Sequence, residues 1–465
     1  MTKDDLCYLD LIDIGRRIRS RKLSSVEVTR ALLDRIAQLD GHLRSYATIT
    51  SHMALETAEE MDREIARGVD RGPLHGVPIA VKDLCHTKGI TTAAGMTIYK
   101  NFLPGRDATV VSRLREAGAV LLGKLQMTEG AFSANHPSIK PPVNPWSQAH
   151  WTGVSSSGSG VATASGLCYG SLGTDTLGSI RFPSTMNGIT GLKPTWGRVS
   201  RAGVFALAES MDHVGPMARS AADAAAMLGV IAGADADDPT ALQDPVPDYL
   251  ADIDAGVRGV RIGIDRAFIE ADADEEVVRA VEDASTVFAR LGAEIRSMVF
   301  PSVDQVVRDA VLLCAVEAAV AHETTFPARA NEYGPVLAGH LQAGREVEGP
   351  ALAKLLQRRA VFRGQLAALF RKIDLLLMPA MNRAAPTLAS VVEHMNDPEA
   401  RYARIRFTSP FDMSGSPSLT LPGGATSEGL PVGFQIIGRP LDEGLVLRAG
   451  HAFQQATQWH KRHPL

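Results

Sequence analysis

Cysteine is scarce: Cys7, Cys85, Cys168 and Cys314 are the only four in 465 residues, and no two fall at the CxxC or similar spacing that marks a zinc or redox motif. Four reduced thiols are expected, acting as small buried hydrophobes, including Cys85 three residues beyond Lys82. Aromatic residues make up only 5% of the chain. An excess of basic charge is also missing, since 48 Lys plus Arg stand against 52 Asp plus Glu for a net charge of −4. Nothing there would track a phosphate backbone, so no nucleic-acid partner is expected. No stretch approaches the roughly 18 apolar residues of a membrane span. The opening MTKDDLCYLDLIDIGRRIRS carries charges where a secretory signal would be apolar. The expected setting is therefore cytoplasmic, away from a membrane.

Familiar catalytic and nucleotide motifs are missing as well. Gly153-Val-Ser-Ser-Ser-Gly158 starts like a phosphate-binding loop, but Ser159-Gly160 stand where Lys and Ser/Thr are required. Gly158-Ser-Gly160 starts a dinucleotide fingerprint whose third glycine is replaced by Thr163. There is no GxSxG elbow, HExxH helix or calcium loop, so no metal and no cofactor is expected. The 13 histidines are scattered singly, and His75, His86 and His150 read as surface or structural residues rather than catalysts.

What is present is a regular alternation of element signals. Ser24-Ser-Val-Glu27 has the form of a capping box, and Val28, Ala31, Leu32 and Ile36 continue at helical spacing. The β-branched run Gly76-Val-Pro-Ile-Ala-Val81 reads as a strand ending at Lys82. Residues 108–117 read as a helix stopped by Gly118, and Ala119–Leu122 as the next strand. A helix fits Gly160–Gly166 inside a segment dense in Gly, Ser and Thr. Further strands are expected at Val260–Ile264, Leu375–Met378 and Pro431–Ile437, with a helix over 274–291. Residues 301–370 read as helical and apolar, a core layer rather than a cavity wall. Strands and helices alternating from end to end indicate an α/β architecture.

Three segments carry the chemistry: Val77-Pro-Ile-Ala-Val-Lys82, Gly153-Val-Ser-Ser-Ser-Gly-Ser159, and Gly173-Thr-Asp-Thr-Leu-Gly-Ser179-Ile-Arg-Phe-Pro183. With Asn187-Gly-Ile-Thr-Gly-Leu-Lys-Pro-Thr195, Gly197-Arg-Val-Ser200 and Gly429-Leu-Pro-Val-Gly433, their order and spacing resemble the amidase signature family over most of the chain. The resemblance implies an amide hydrolase with Ser179 as nucleophile, Ser155, 24 residues earlier, as bridging serine after a cis peptide, and Lys82 as base. It implies an oxyanion hole built from the backbone N–H groups of Thr176, Leu177, Gly178 and Ser179, and it places Met127 in the acyl pocket.

The same resemblance implies one α/β/α domain over 1–465, with a large mixed, mostly parallel sheet covered by helices on both faces. Within it an N-terminal helical layer occupies 1–70, the catalytic core 71–235, and a variable cavity region 300–400. The family's paired glycines appear here as Gly153-Val154, Ser157-Gly158 and Leu177-Gly178, so Leu177 adds a side chain beside the expected oxyanion hole.

The chemistry can be argued from the residue types. A serine needs a base within hydrogen-bond reach. A lysine at its ordinary pKa of about 10.4 is charged and cannot serve. Burial disfavours the charged form, so a lysine at a buried strand end can be neutral and accept a proton. Asp175 and Arg181 flank the nucleophile and are expected to pair and fix its loop.

The expected substrate is a small hydrophobic or aryl amide, anilide or carbamate (urethane), and the only protein partner considered is a second copy in a homodimer. Two other readings stand beside this. One is the glutaminase-type A subunit of a tRNA-dependent amidotransferase, expected to carry an acidic residue about seven positions before Asp412-Met-Ser-Gly-Ser-Pro417, where Ile405 stands between Arg404 and Arg406. The other is a catalytically inactive binding protein of the same fold, against which the three intact triad positions argue.

Overall fold

A computed structural model describes residues 3–394 and 397–465. Its frame is a sheet of eleven strands: β1 Tyr46–Ile49, β2 Pro78–Lys82, β3 Val120–Leu125, β4 Gly170–Asp175, β5 Thr190–Lys193, β6 His213–Ala218, β7 Arg261–Ile264, β8 Glu294–Ser297, β9 Leu375–Pro379, β10 Ser418–Ala425 and β11 Pro431–Gly438. Their order is β1-β3-β2-β4-β6-β5-β10-β11-β9-β7-β8.

The sheet is mixed, as expected, but not mostly parallel. Parallel pairs are β2–β3, β2–β4, β7–β8 and β7–β9, while the other six, β1–β3, β4–β6, β5–β6, β5–β10, β10–β11 and β9–β11, are antiparallel. The reason lies in short connections. Between β10 and β11 the chain reverses in a tight turn, with Thr426 N–H donating to Leu430 O and Gly429 at φ 85°, and such a turn can join only antiparallel neighbours.

Helices cover both faces. Adjacent residues of a strand point to opposite sides. On β11, Val432 packs with Val277 and Ala280 of the helix Glu275–Arg290, whereas a Cβ on Gly433 would meet Thr185 of the helix Arg181–Asn187. Strands enclosed in this way read as unbroken apolar runs, and every residue of β2 and β9 is buried.

Local signals place the elements close to expectation. Ser24 Oγ accepts from Glu27 N–H at 2.9 Å and caps the helix Ser25–Leu43. The helix Thr109–Glu116 runs out at Gly118, whose φ of 75° turns the chain into β3.

The Gly/Ser-rich segment forms the helix Ser157–Ala164. Its glycines permit close approach: a Cβ at Gly160 would lie 2.6 Å from Asn187 Nδ2 and 3.0 Å from Pro183 Cβ. This helix and Arg181–Asn187 therefore lie tightly side by side, and the chain enters one just after Ser155 and the other just after Ser179. Among the described residues no helix is long and apolar enough to cross a membrane.

Candidate active site

Lys82 ends β2, flanked by β3 and β4. Its side chain is fully buried, and Nζ donates to Ser155 Oγ at 2.7 Å and to Thr174 Oγ1 at 2.8 Å. Burial pushes the amine down to about 7, only partly offset by Cys85, Asp175 and Asp212 nearby.

The peptide Val154–Ser155 is cis. Gly153 precedes it at φ 77°, and a Cβ there would press on Pro183 N at 2.6 Å. The next residue joins the two serine segments: Ser156 N–H donates to Ser179 O at 3.3 Å, and Ser156 Oγ accepts from Thr174 N–H at 3.2 Å. Ser179 is half-buried and faces a cavity. The fold thus brings the segments of Lys82, Ser155 and Ser179 together, with the lysine sealed from solvent and Ser179 at the opening.

The loop from β4 to Ser179 wraps around one carboxylate. Asp175 Oδ1 accepts from Gly178 N–H at 2.7 Å and Oδ2 from Ile180 N–H at 2.9 Å. Arg181 donates from Nε and Nη2 at 3.0 and 2.8 Å, and its Nη2 also reaches Asp412 Oδ2 at 2.6 Å. All three side chains are inaccessible.

Burial alone would raise Asp175, but Arg181 and the N–H donors outweigh it and hold the carboxyl well below the usual range. For Asp412 burial outweighs the pull of Arg181 and, with Asp175 beside it, pushes the carboxyl up. Two further bonds hold the loop: Thr176 Oγ1 to Asp212 Oδ1 at 2.6 Å and Thr408 Oγ1 to Leu177 O at 2.6 Å.

Two expectations need correction. The N–H of Gly178 is held by Asp175, so it cannot face an oxyanion; those of Thr176, Leu177 and Ser179 carry no hydrogen bond among the described residues. Met127 does not line the cavity. It is fully buried in the core, and its carbonyl accepts from Asn135 Nδ2 at 3.1 Å. The 3-10 turn Glu129–Ala131 carries the chain onward, so that Ala131, Phe132 and Ser133 form the wall instead.

The cavity encloses about 580 Å³, the solvent at its mouth included. Phe132, Leu177, Phe182, Leu207 and Val311 make its sides apolar, and Cys314, His340, Arg401 and Arg404 complete it. The helix Asp304–Ala321, read from sequence as core, is both: Leu313 packs inward, while Val311 and Cys314 face the cavity.

Sequence reasoning missed Thr174 as a partner of Lys82, although it lies in the quoted motif five residues before Ser179. It also missed two further buried lysines, Lys124 and Lys193; Lys193 stands 3.1 Å from His213 Nε2 and is likewise pushed down to about 7 by burial. Arg401 and Arg404 gave no local signal.

The family model described as Amidase matches residues 27–447. The chain is 48% identical to AmiD of Mycobacterium tuberculosis, an amidase by name, over 100% of this chain and 97% of that protein. It is 37% identical to the A subunit of the glutamyl-tRNA(Gln) amidotransferase from Geobacter metallireducens, covering 98% of this chain and 99% of the relative. The crystal structure of peptide amidase from Stenotrophomonas maltophilia superposes with a TM-score of 0.82 at 32% identity, over 97% of each chain. A large mixed sheet under two helical layers, with a buried lysine bonded to one serine and a second serine at a cavity, is the build of an amide hydrolase. The chain belongs to the amidase family.

Proposed function

We propose that this protein hydrolyses a small amide through an acyl-enzyme on Ser179, with Ser155 and Lys82 relaying the proton. The observation that carries the reading is the 2.7 Å contact between Lys82 Nζ and Ser155 Oγ in a fully buried setting. A neutral amine there has two hydrogens and one lone pair; one hydrogen goes to Thr174, and the lone pair is free to take the proton of Ser155.

Ser155 in turn takes the proton of Ser179, and Ser179 Oγ bonds to the carbonyl carbon. The negative charge on the carbonyl oxygen is held by the N–H groups of Thr176, Leu177 and Ser179, each worth on the order of 3 kcal/mol. The relay returns its proton to the leaving nitrogen as the C–N bond breaks. Water then adds to the acyl carbon, giving its proton to the same relay, and the relay returns that proton to Ser179 Oγ as the C–O bond breaks and the acid is released.

The apolar cavity wall supports a hydrophobic or aryl amide, anilide or carbamate. The continuous sheet supports reading the chain as one catalytic domain. The glutaminase reading is opposed by the segment before Asp412, where Arg404 lines the cavity and Arg406 pairs with Asp272 and Asp304.

The test is a panel of aliphatic amides, anilides, aryl carbamates and glutamine, assayed with the wild type and Ser179→Ala. Hydrolysis of at least one non-glutamine substrate, abolished by the substitution, is the expected result. Turnover of glutamine alone, and only with a partner subunit, would overturn it.

A further inference from the structure

The helix Pro398–Ile405 places two guanidinium groups, Arg401 and Arg404, in the wall of the Ser179 cavity. Neither has a hydrogen bond or ion pair among the described residues. Each is held only against an aromatic ring, Arg401 with its central carbon 5.8 Å from the Phe132 centroid and Arg404 at 5.4 Å from that of Trp151.

Other arginines nearby behave differently. Arg406 pairs with Asp272 and Asp304, Arg358 with Asp309, and Arg181 with Asp175 and Asp412, while Arg359 donates to Met413 O and Ser210. Among the described residues no Asp or Glu lines the cavity, nor the adjoining chamber that shares Arg404 and adds Arg383. Arg404 is pushed below its ordinary value by burial and by the like charges of Arg401 and Arg383, with no carboxylate acting against them.

Withdrawing a cation from water is costly unless a counter-charge meets it. Ring faces hold a guanidinium from one side and leave its N–H edge free to donate, in the geometry that takes both oxygens of a carboxylate. A cavity that presents two such edges beside Ser179 offers a carboxylate both charge and fit.

We infer that the amide cleaved at Ser179 carries a carboxylate, and that Arg401 and Arg404 bind it while the apolar wall takes the body of the molecule. This rests on the reading of Ser179 as nucleophile and narrows its substrate class to carboxylate-bearing amides without a nearby ammonium. An α-amino group beside two guanidiniums would be repelled, so the inference separates such substrates from glutamine.

The experiment measures binding and cleavage separately. Calorimetry on Ser179→Ala compares para-carbamoylbenzoate with terephthalamide, and para-acetamidobenzoate with para-acetamidobenzamide, so that the charge is offered on the acyl or the amine side. At least one carboxylate should bind tenfold or more tighter than its neutral counterpart, a difference of about 1.4 kcal/mol or more.

That preference should fall about tenfold in Arg401→Met and in Arg404→Met, and be partly retained in Arg404→Lys, with circular dichroism confirming the folded state. Equal or tighter binding of both neutral compounds, no binding of either carboxylate, or a preference unmoved by both Met substitutions overturns the inference. Selective carboxylate binding without cleavage by the protein with Ser179 intact would overturn the nucleophile reading and leave the anion subsite standing.

Discussion

Asp175 and Arg181 form a two-pronged ion pair at 2.8 and 3.0 Å with both side chains out of contact with water. The same carboxylate gathers the N–H groups of Gly178 and Ile180, so one interaction sets the backbone on both sides of Ser179. Without Arg181, Asp175 and Asp412 would face each other buried and uncompensated. Arg181→Met should therefore cost roughly 3–5 kcal/mol, read as a lower urea midpoint. Arg181→Lys should recover little of it, because an ammonium cannot span both oxygens and reach Asp412.

Lys82 predicts the pH dependence. Its amine, pushed down to about 7 by burial, serves as base only when deprotonated, so kcat/KM should rise as pH increases and level off above about 7. Thr174 Oγ1 accepts from Nζ and so favours the charged form. In Thr174→Val that support is lost, the midpoint should move to lower pH, and kcat should drop about tenfold as the base loses its orientation. A limb that stays near pH 7 in Lys82→Ala with residual activity would assign it to another group.

The four thiols are buried, and burial pushes Cys85 and Cys168 up to about 11 and Cys314 well above its ordinary value. Thiolate is the reactive form. Iodoacetamide at pH 7.5 should leave these three unlabelled in the folded protein, Cys314 included although it borders the cavity, and label them in urea. Mass spectrometry reads the difference directly.

Elements were legible where a local signal fixes them. Ser24 announces its cap, Gly118 its turn, and the apolar run before Lys82 its strand. Strand direction was not, because whether β5 runs against β10 depends on segments more than 200 residues apart that only meet in the sheet. The site divides the same way. Lys82, Ser155 and Ser179 stand in motifs, whereas Arg401 and Arg404 are surface-like in sequence and become cavity residues only because Phe132 and Trp151 arrive beneath them. Gly178 misled for a related reason: its position suggested a free N–H, but Asp175 three residues earlier curls back and takes it.

Leu177 and Gly178 make opposite predictions from adjacent positions. Gly178 sits at φ 134°, and a Cβ there would lie 2.5 Å from Phe182 Cζ, a ring that itself lines the cavity. Gly178→Ala must strain the backbone or push that ring inward, disturbing the N–H groups of Leu177 and Ser179 on either side. A fall in kcat of about a hundredfold is expected, the size seen when an oxyanion donor is lost.

Leu177, half-buried, sends its side chain into the same cavity. Removing it in Leu177→Gly opens space without touching Asp175, so bulky anilides should gain in kcat/KM relative to acetanilide by roughly tenfold, the range one or two methylenes confer in a pocket. Kinetics with a series of acyl chain lengths separates the two effects: the alanine variant should lose turnover on every member, while the glycine variant should shift the optimum toward the longer ones.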